Sequence, residues 1–174
     1  MSAADRQKNL AMLAESRQAL LDSVAGVSED HARIRPAPGR WSVLECVEHV
    51  ALAEGGLLRF LTSPPASAAP PTVPSREEFF LRAAADRSNK VQAPDFVRPT
   101  GRFATLALAL GEFERTRART IRYIEQCPGD LRARSTLHPV VGPMNGQEMF
   151  ILLALHPARH AAQILEVRAS LPAA

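Results

Sequence analysis

Cysteine is scarce. The two thiols, Cys46 and Cys127, stand in no CxxC spacing, which argues against a secreted disulfide scaffold and points to a reducing compartment. No uncharged run approaches the roughly 18 residues that a membrane span needs. The opening Met1-Ser2-Ala3-Ala4-Asp5-Arg6 leads into a polar helical pattern rather than an apolar signal core. A basic stripe is missing as well. The formal charge of +3 comes from arginines interspersed with acids, as in Glu112-Phe113-Glu114-Arg115, whereas a nucleic-acid face gathers its cations. These absences lead us to expect a soluble, cytoplasmic protein with neither membrane nor nucleic-acid partners. At 174 residues the chain has the length of one well-buried domain and is short for two.

Strand alternation and internal repeats are also missing. What is present is helical periodicity broken by proline and glycine. Leu10, Leu13, Leu20, Leu21 and Val24 mark one face of a first helix over 4–25, stopped at Gly26. Residues 28–40, with Pro36, Pro38 and Gly39, form a loop. Ser42 and Glu45 stand in capping-box relation and open a second helix to about Leu61, with Trp41 packing against it from just ahead of the cap. A Pro/Ala/Ser-rich crossover over 63–74 leads to a second such box, Ser75 with Glu78, and a short helix to about Arg87. The third long helix spans about 103–126. Its stripe is Phe103, Leu106, Leu110, Phe113, Thr120, Ile121 and Ile124, and its charged face, including Arg115, Arg117 and Arg119, is exposed. Asn145 caps a fourth helix that continues to about Ser170. The pattern predicts an all-α fold, a four-helix bundle with a long crossover and one extra short helix, in a single domain over 1–174.

The fourth helix carries His156-Pro157-Ala158-Arg159-His160. Imidazoles four residues apart project from one side of a helix, about 6 Å apart along its axis, a spacing that suits two ligands of one divalent ion. Met149, Leu153, His156, His160, Ile164 and Val167 follow at steps of three or four, so both histidines lie on the inward line. A core imidazole is costly unless something satisfies it, and a metal would. His49, in a mostly apolar row of the second helix, is the third candidate ligand. Cys46, one turn before it, reads as a small buried thiol. His138 beside Pro139 reads as a loop histidine, His31 as solvated and Arg159 as a surface or interface residue. Glu45 and Gln163 lie within helical reach of the ligand histidines.

Trp41-Ser42-Val43-Leu44-Glu45-Cys46-Val47-Glu48-His49, then His138-Pro139-Val140-Val141-Gly142, then His156-x-x-Arg159-His160-x-x-Gln163-Ile164 resembles the DinB-like (DinB/YfiT-like) superfamily of bacterial metal-binding four-helix bundles. Order and spacing agree from about residue 8 to 168. The resemblance implies that His49, His156 and His160 are the three metal ligands. It implies zinc foremost, with nickel or iron as alternatives, and open positions for water or a small-molecule substrate. It further implies a homodimer and, from characterised relatives, thiol-dependent S-transfer or isomerisation using bacillithiol, mycothiol or glutathione. A metal-dependent hydrolase of a small ester or amide, or a non-catalytic metal-binding or dimerising module, are the alternatives, since no acid, base or nucleophile beyond the ligands declares itself. Pro157 departs from the pattern. It removes the hydrogen bond to the Leu153 carbonyl and should kink or loosen the last helix at the site.

Overall fold

The structure is a computed structural model that describes residues 1–63, 74–88 and 92–171, apart from the side chains of residues 74, 75 and 85. Four long helices, α1 (Ala3–Val24), α3 (Val43–Thr62), α5 (Leu106–Gln126) and α6 (Gly146–Ser170), form the bundle. Short helices α2 (Glu29–Arg33) and α4 (Pro74–Ala85) lie in the connections. The closest packing pairs α1 with α6, α6 with α3, and α3 with α5, while α4 lies on α6. The two helices carrying the predicted ligand histidines are therefore neighbours. Among the described residues no helix is long and apolar enough to cross a membrane.

Helix starts follow local chemistry. The Ser42 hydroxyl accepts from the Glu45 amide at 3.2 Å while the Glu45 carboxylate accepts from the Ser42 amide at 2.8 Å. Asn145 and Glu148 make the same reciprocal box on α6. Each box satisfies two amides that a helix start leaves orphaned. The N-terminus of α5 is capped from a distance as well, by the Glu29 carboxylate of α2, which accepts from Leu106 and Ala107.

Four expectations need correction. Residues 28–40 hold a helical turn, α2, capped by Ser28. The short crossover helix starts at Pro74, where a missing N–H costs nothing, so Ser75 falls inside its first turn. Most of the expected crossover before it, residues 64–73, lies outside the described residues. The connection before α6 contains an antiparallel hairpin, β1 (Ser135–His138) with β2 (Gly142–Asn145), pairing Ser135 with Asn145 and His138 with Gly142. Gly142 takes a φ of +85° there, a conformation that favours glycine. Finally, Arg117 is not on an exposed face.

Arg117 is 0% exposed. Its Nε and Nη2 donate to the two oxygens of Glu54 at 2.8 and 2.9 Å, and its Nη1 donates to the Leu13 carbonyl and Ser16 Oγ. Thr120 Oγ1 donates to the same Glu54. This polar layer divides the core. One apolar cluster contains Leu13, Leu57, Ile124 and Leu153, the other Leu20, Val47, Phe113 and Ile164. On each long helix the polar residue falls between members of the two clusters, and on α6 that level is occupied by His156 and His160. Helix α6 is continuous through Pro157.

Removing one member of a buried ion pair strands the other charge. Glu54→Ala should therefore destabilise the fold by about 3–5 kcal/mol in urea unfolding, and Glu54→Leu with Arg117→Met should recover most of that loss. A single-variant cost below about 1 kcal/mol, the level of an exposed pair, would contradict the assigned role.

Candidate metal centre

The capping box at Ser42 fixes the phase of α3, and seven residues on, two turns into the helix, His49 turns into the bundle at 4% exposure. From α6, His160 arrives at 7% exposure, and His156 lies half-buried beside it. His156 Nε2 sits 3.2 Å from His49 Nε2 and 3.2 Å from His160 Nε2. One candidate ligand atom from each ring falls within 4.8 Å of the others. The structure thus brings together the three histidines singled out in the sequence.

Proton positions follow from the partners. The Val97 carbonyl can only accept, so His49 Nδ1 carries the proton and donates to it at 2.8 Å, leaving the Nε2 lone pair facing the other rings. A single N–H on His156 Nε2 cannot serve two in-line acceptors at once. His160 Nδ1 is buried and makes no hydrogen bond of normal geometry among the described residues, although the Gln163 side chain lies close enough to the ring to favour its charged form. Three nitrogens meeting this way make a poor hydrogen-bond network. They suit a shared cation well, because ligands about 2.0–2.1 Å from a tetrahedral zinc ion lie about 3.3–3.4 Å from one another. The residues present fit a divalent metal.

Electrostatics agree. Burial holds His160 and His156 well below the usual imidazole pKa, with the neighbouring histidines adding like-charge repulsion. Burial also lowers His49, partly offset by its bond to Val97. The Arg117 cation behind the site lowers His156 further. Neutral imidazoles are the ligating form.

Two groups that orient the site were not visible in the sequence. Val97 lies in a 3-10 turn, Asp95–Val97, within the segment ahead of α5. That segment is pinned by buried Glu48, whose carboxylate accepts from the amides of Thr100, Gly101 and Arg102 at 2.7, 3.2 and 3.1 Å. Adjacent residues of α3 therefore divide the work: Glu48 anchors the segment, and the segment returns a carbonyl to His49. Such outer partners orient ligating histidines generally. A glutamate beside a histidine on an inward helical turn is the only signal that could have suggested it.

The remaining candidates separate. Glu45 is occupied by the capping box and by Arg35. Gln163, by contrast, stays at the site: its Oε1 accepts from Arg87 at 3.2 Å, and its side chain reaches the His160 ring, where burial lowers the pKa and Gln163 raises it. Cys46 is buried away from the cluster, its thiol pushed up to about 12 by burial. His138 Nδ1 accepts from the Val140 and Val141 amides at 3.2 and 3.1 Å, which closes the hairpin turn. His31 is half-buried in α2, with Nδ1 3.1 Å from Ser28 Oγ. Trp41 does more than pack against the helix start: its ring lies 4.9 Å from that of His49 and 6.3 Å from that of His160. All three histidines open onto a cavity of about 1210 Å³ walled by Trp41, Phe60, Phe79, Phe96 and Leu152. Arg159, expected at a surface or interface, lines this cavity too. Its pKa is lowered by burial and by the nearby Arg87 cation.

A sequence profile of the DinB superfamily matches residues 12–164. YuaE of Bacillus subtilis (strain 168), an uncharacterised protein, is 23% identical over 154 residues, which is 88% of this chain and 93% of the relative. Among solved structures, YfiT from Bacillus subtilis, described as a probable metal-dependent hydrolase with an unusual four-helix bundle topology, superposes with a TM-score of 0.63 at 19% identity, over 97% of this chain and 89% of that one. The four-helix bundle protein TT2238 superposes with a TM-score of 0.54 at 23% identity, over 91% of this chain and 95% of that one.

The depressed histidines predict how the metal-free protein responds to acid. Below the unfolded value of about 6.5 the unfolded chain binds protons that the folded site refuses, so stability falls as pH drops. Each histidine still neutral in the fold contributes a slope of about 1.4 kcal/mol per pH unit. Chelator-treated protein should lose melting temperature steeply between pH 7 and 5, and His160→Gln should flatten that dependence. Equal slopes for both proteins would contradict the burial of neutral rings.

Proposed function

Because the chain belongs to the DinB superfamily, we propose that it is a metalloenzyme in which His49, His156 and His160 hold one divalent ion, zinc foremost, with nickel or iron as alternatives. We propose further that it transfers a small thiol, of the bacillithiol, mycothiol or glutathione kind, to an electrophile in the adjoining cavity. The observation that carries the metal reading is the meeting of three Nε2 atoms, with 3.2 Å between His156 and each of its two neighbours. Three protein ligands with open positions are the catalytic pattern, since structural zinc closes four. When bound, the ion supplies positive charge that draws a coordinated thiol or water below its ordinary pKa.

The chain's own residues do the rest. Val97 holds His49 in the tautomer whose Nε2 lone pair is free for the ion, and Glu48 holds the segment that places Val97. Trp41 and Phe60 provide apolar wall on the α3 side. At about 1210 Å³ the cavity has room for a thiol and a second small molecule together. Among its described lining residues, Asp86 and His138 are the titratable groups other than the three histidines and the arginines. A reaction whose nucleophile is activated at the ion suits so sparse a set of bases.

A second reading, hydrolysis of a small ester or amide, draws support from the hydrolase description attached to YfiT. One assay series separates the readings. Zinc-loaded protein is incubated with each thiol and 1-chloro-2,4-dinitrobenzene, and separately with p-nitrophenyl acetate. Thiol conjugation abolished by chelation and by His160→Ala is the expected result. Metal-dependent ester turnover without thiol transfer would replace it with the hydrolytic reading. Metal-dependent stability with neither activity would make the protein a binding module.

A further inference from the structure

The cavity wall is charged in one direction. Over the whole chain, basic and acidic residues nearly balance, 21 against 18. Among the described residues around the cavity, Arg40, Arg82, Arg87, Arg98 and Arg159 stand against one carboxylate, Asp86. Arg82, Arg87 and Arg98 pair with Glu78, Glu166 and Asp95, none of which belongs to the described lining, while Asp86, which does, lies close to Arg159. Arg159 stands one turn after His156 on α6, and Arg87 reaches the same helix through Gln163 and Glu166, so both guanidiniums lie where α6 borders the cavity. A cleft lined by one sign of charge concentrates oppositely charged solutes, and Arg is the side chain suited to two-point recognition of carboxylate, sulfonate or phosphate.

The opposite character lies at the mouth. Phe79 and Phe96 are 56% and 54% exposed, and both line the cavity, as does the exposed Val140 of the hairpin turn. Large apolar groups left in water at the rim of a pocket commonly mark where a ligand lies.

We propose that the cavity takes a small amphipathic anion, its carboxylate, sulfonate or phosphate held by Arg87 and Arg159 and its apolar body laid against Phe79, Phe96 and Val140. This assignment deepens the proposed function by naming the class of substrate the site admits, and as an enzymatic statement it rests on that reading. Binding itself does not require the ion, so the two are tested apart.

The probes are 8-anilinonaphthalene-1-sulfonate and its neutral analogue N-phenyl-1-naphthylamine, which share an aromatic body and differ in the sulfonate. Fluorescence titrations use the full chain after chelation, so that an anion cannot bind through a metal. We expect the sulfonate to bind at least about tenfold more tightly than the neutral probe, and to weaken as salt is added. The double variant Arg87→Gln/Arg159→Gln should erase that preference while binding the neutral probe within about twofold of wild type, which shows that the cavity is still formed. Phe96→Ala should weaken both probes together. Equal affinity of the two probes for wild type, a double variant that keeps the preference, or failure of wild type to bind either probe would overturn the proposal. A metal-free protein that passes this test leaves the anion site standing even if metal uptake fails.

Discussion

Three uncharged imidazoles, brought nitrogen to nitrogen inside a helical bundle, set the constraint on which the rest of the structure depends. Each ring must be kept neutral, held in one tautomer and stopped from turning back to water. Burial among apolar side chains supplies the first condition, and the Arg117 cation adds to it at His156. The Val97 carbonyl supplies the second for His49. Helix packing supplies the third, because α3 and α6 are adjacent and both start at reciprocal capping boxes that set the phase of everything after them.

The crossover between α3 and α5 has a corresponding purpose. Helices α3 and α5 both run from the Leu20/Val47/Phe113 cluster toward the Leu13/Leu57/Ile124 cluster, so they are parallel and a long return connection must join them. That connection also carries Val97 to His49 and places Phe79, Phe96 and Arg87 around the cavity. Helix α4 attaches it to α6, and Glu48 attaches its last part to α3, the carboxylate taking three amides of one turn. The bundle waist is polar on both sides of α3. Glu54 and Arg117 tie α3 to α5 and reach α1 through Leu13 and Ser16, while the histidines join α3 to α6. The waist thus carries buried charge and buried imidazole at the same level.

Much of this was legible in the residues. Ser42 with Glu45, and Asn145, announced two helix starts, and the three-and-four stepping of Met149, Leu153, His156, His160, Ile164 and Val167 announced an inward line, because capping and amphipathic register are local. Pairings across the bundle were not legible. Arg117 sits among Glu114, Arg115 and Arg119 and shares their composition, and only the three-dimensional position of Glu54, 63 residues earlier, distinguishes it. Glu48 was hidden for the same reason, since its partners are backbone amides beyond residue 99. The hairpin has strands of four residues, too short for an alternation to register. Arg159 was placed outward from its helix alone, whereas the cavity it lines is built by the crossover and hairpin packed over that surface. Pro157 lies buried inside a continuous α6, where the helix forgoes one backbone bond.

Cobalt(II) titration of the chelator-treated chain tests the shared-cation account most directly, because the ion reports its own ligand field in the visible spectrum. The account predicts saturation at about one equivalent per chain, with the intense bands of a low-coordinate, histidine-rich site. Those bands should vanish in His49→Ala, in His156→Ala and in His160→Ala while far-ultraviolet circular dichroism stays helical. Uptake that ignores all three substitutions, or no uptake at one equivalent, would contradict it.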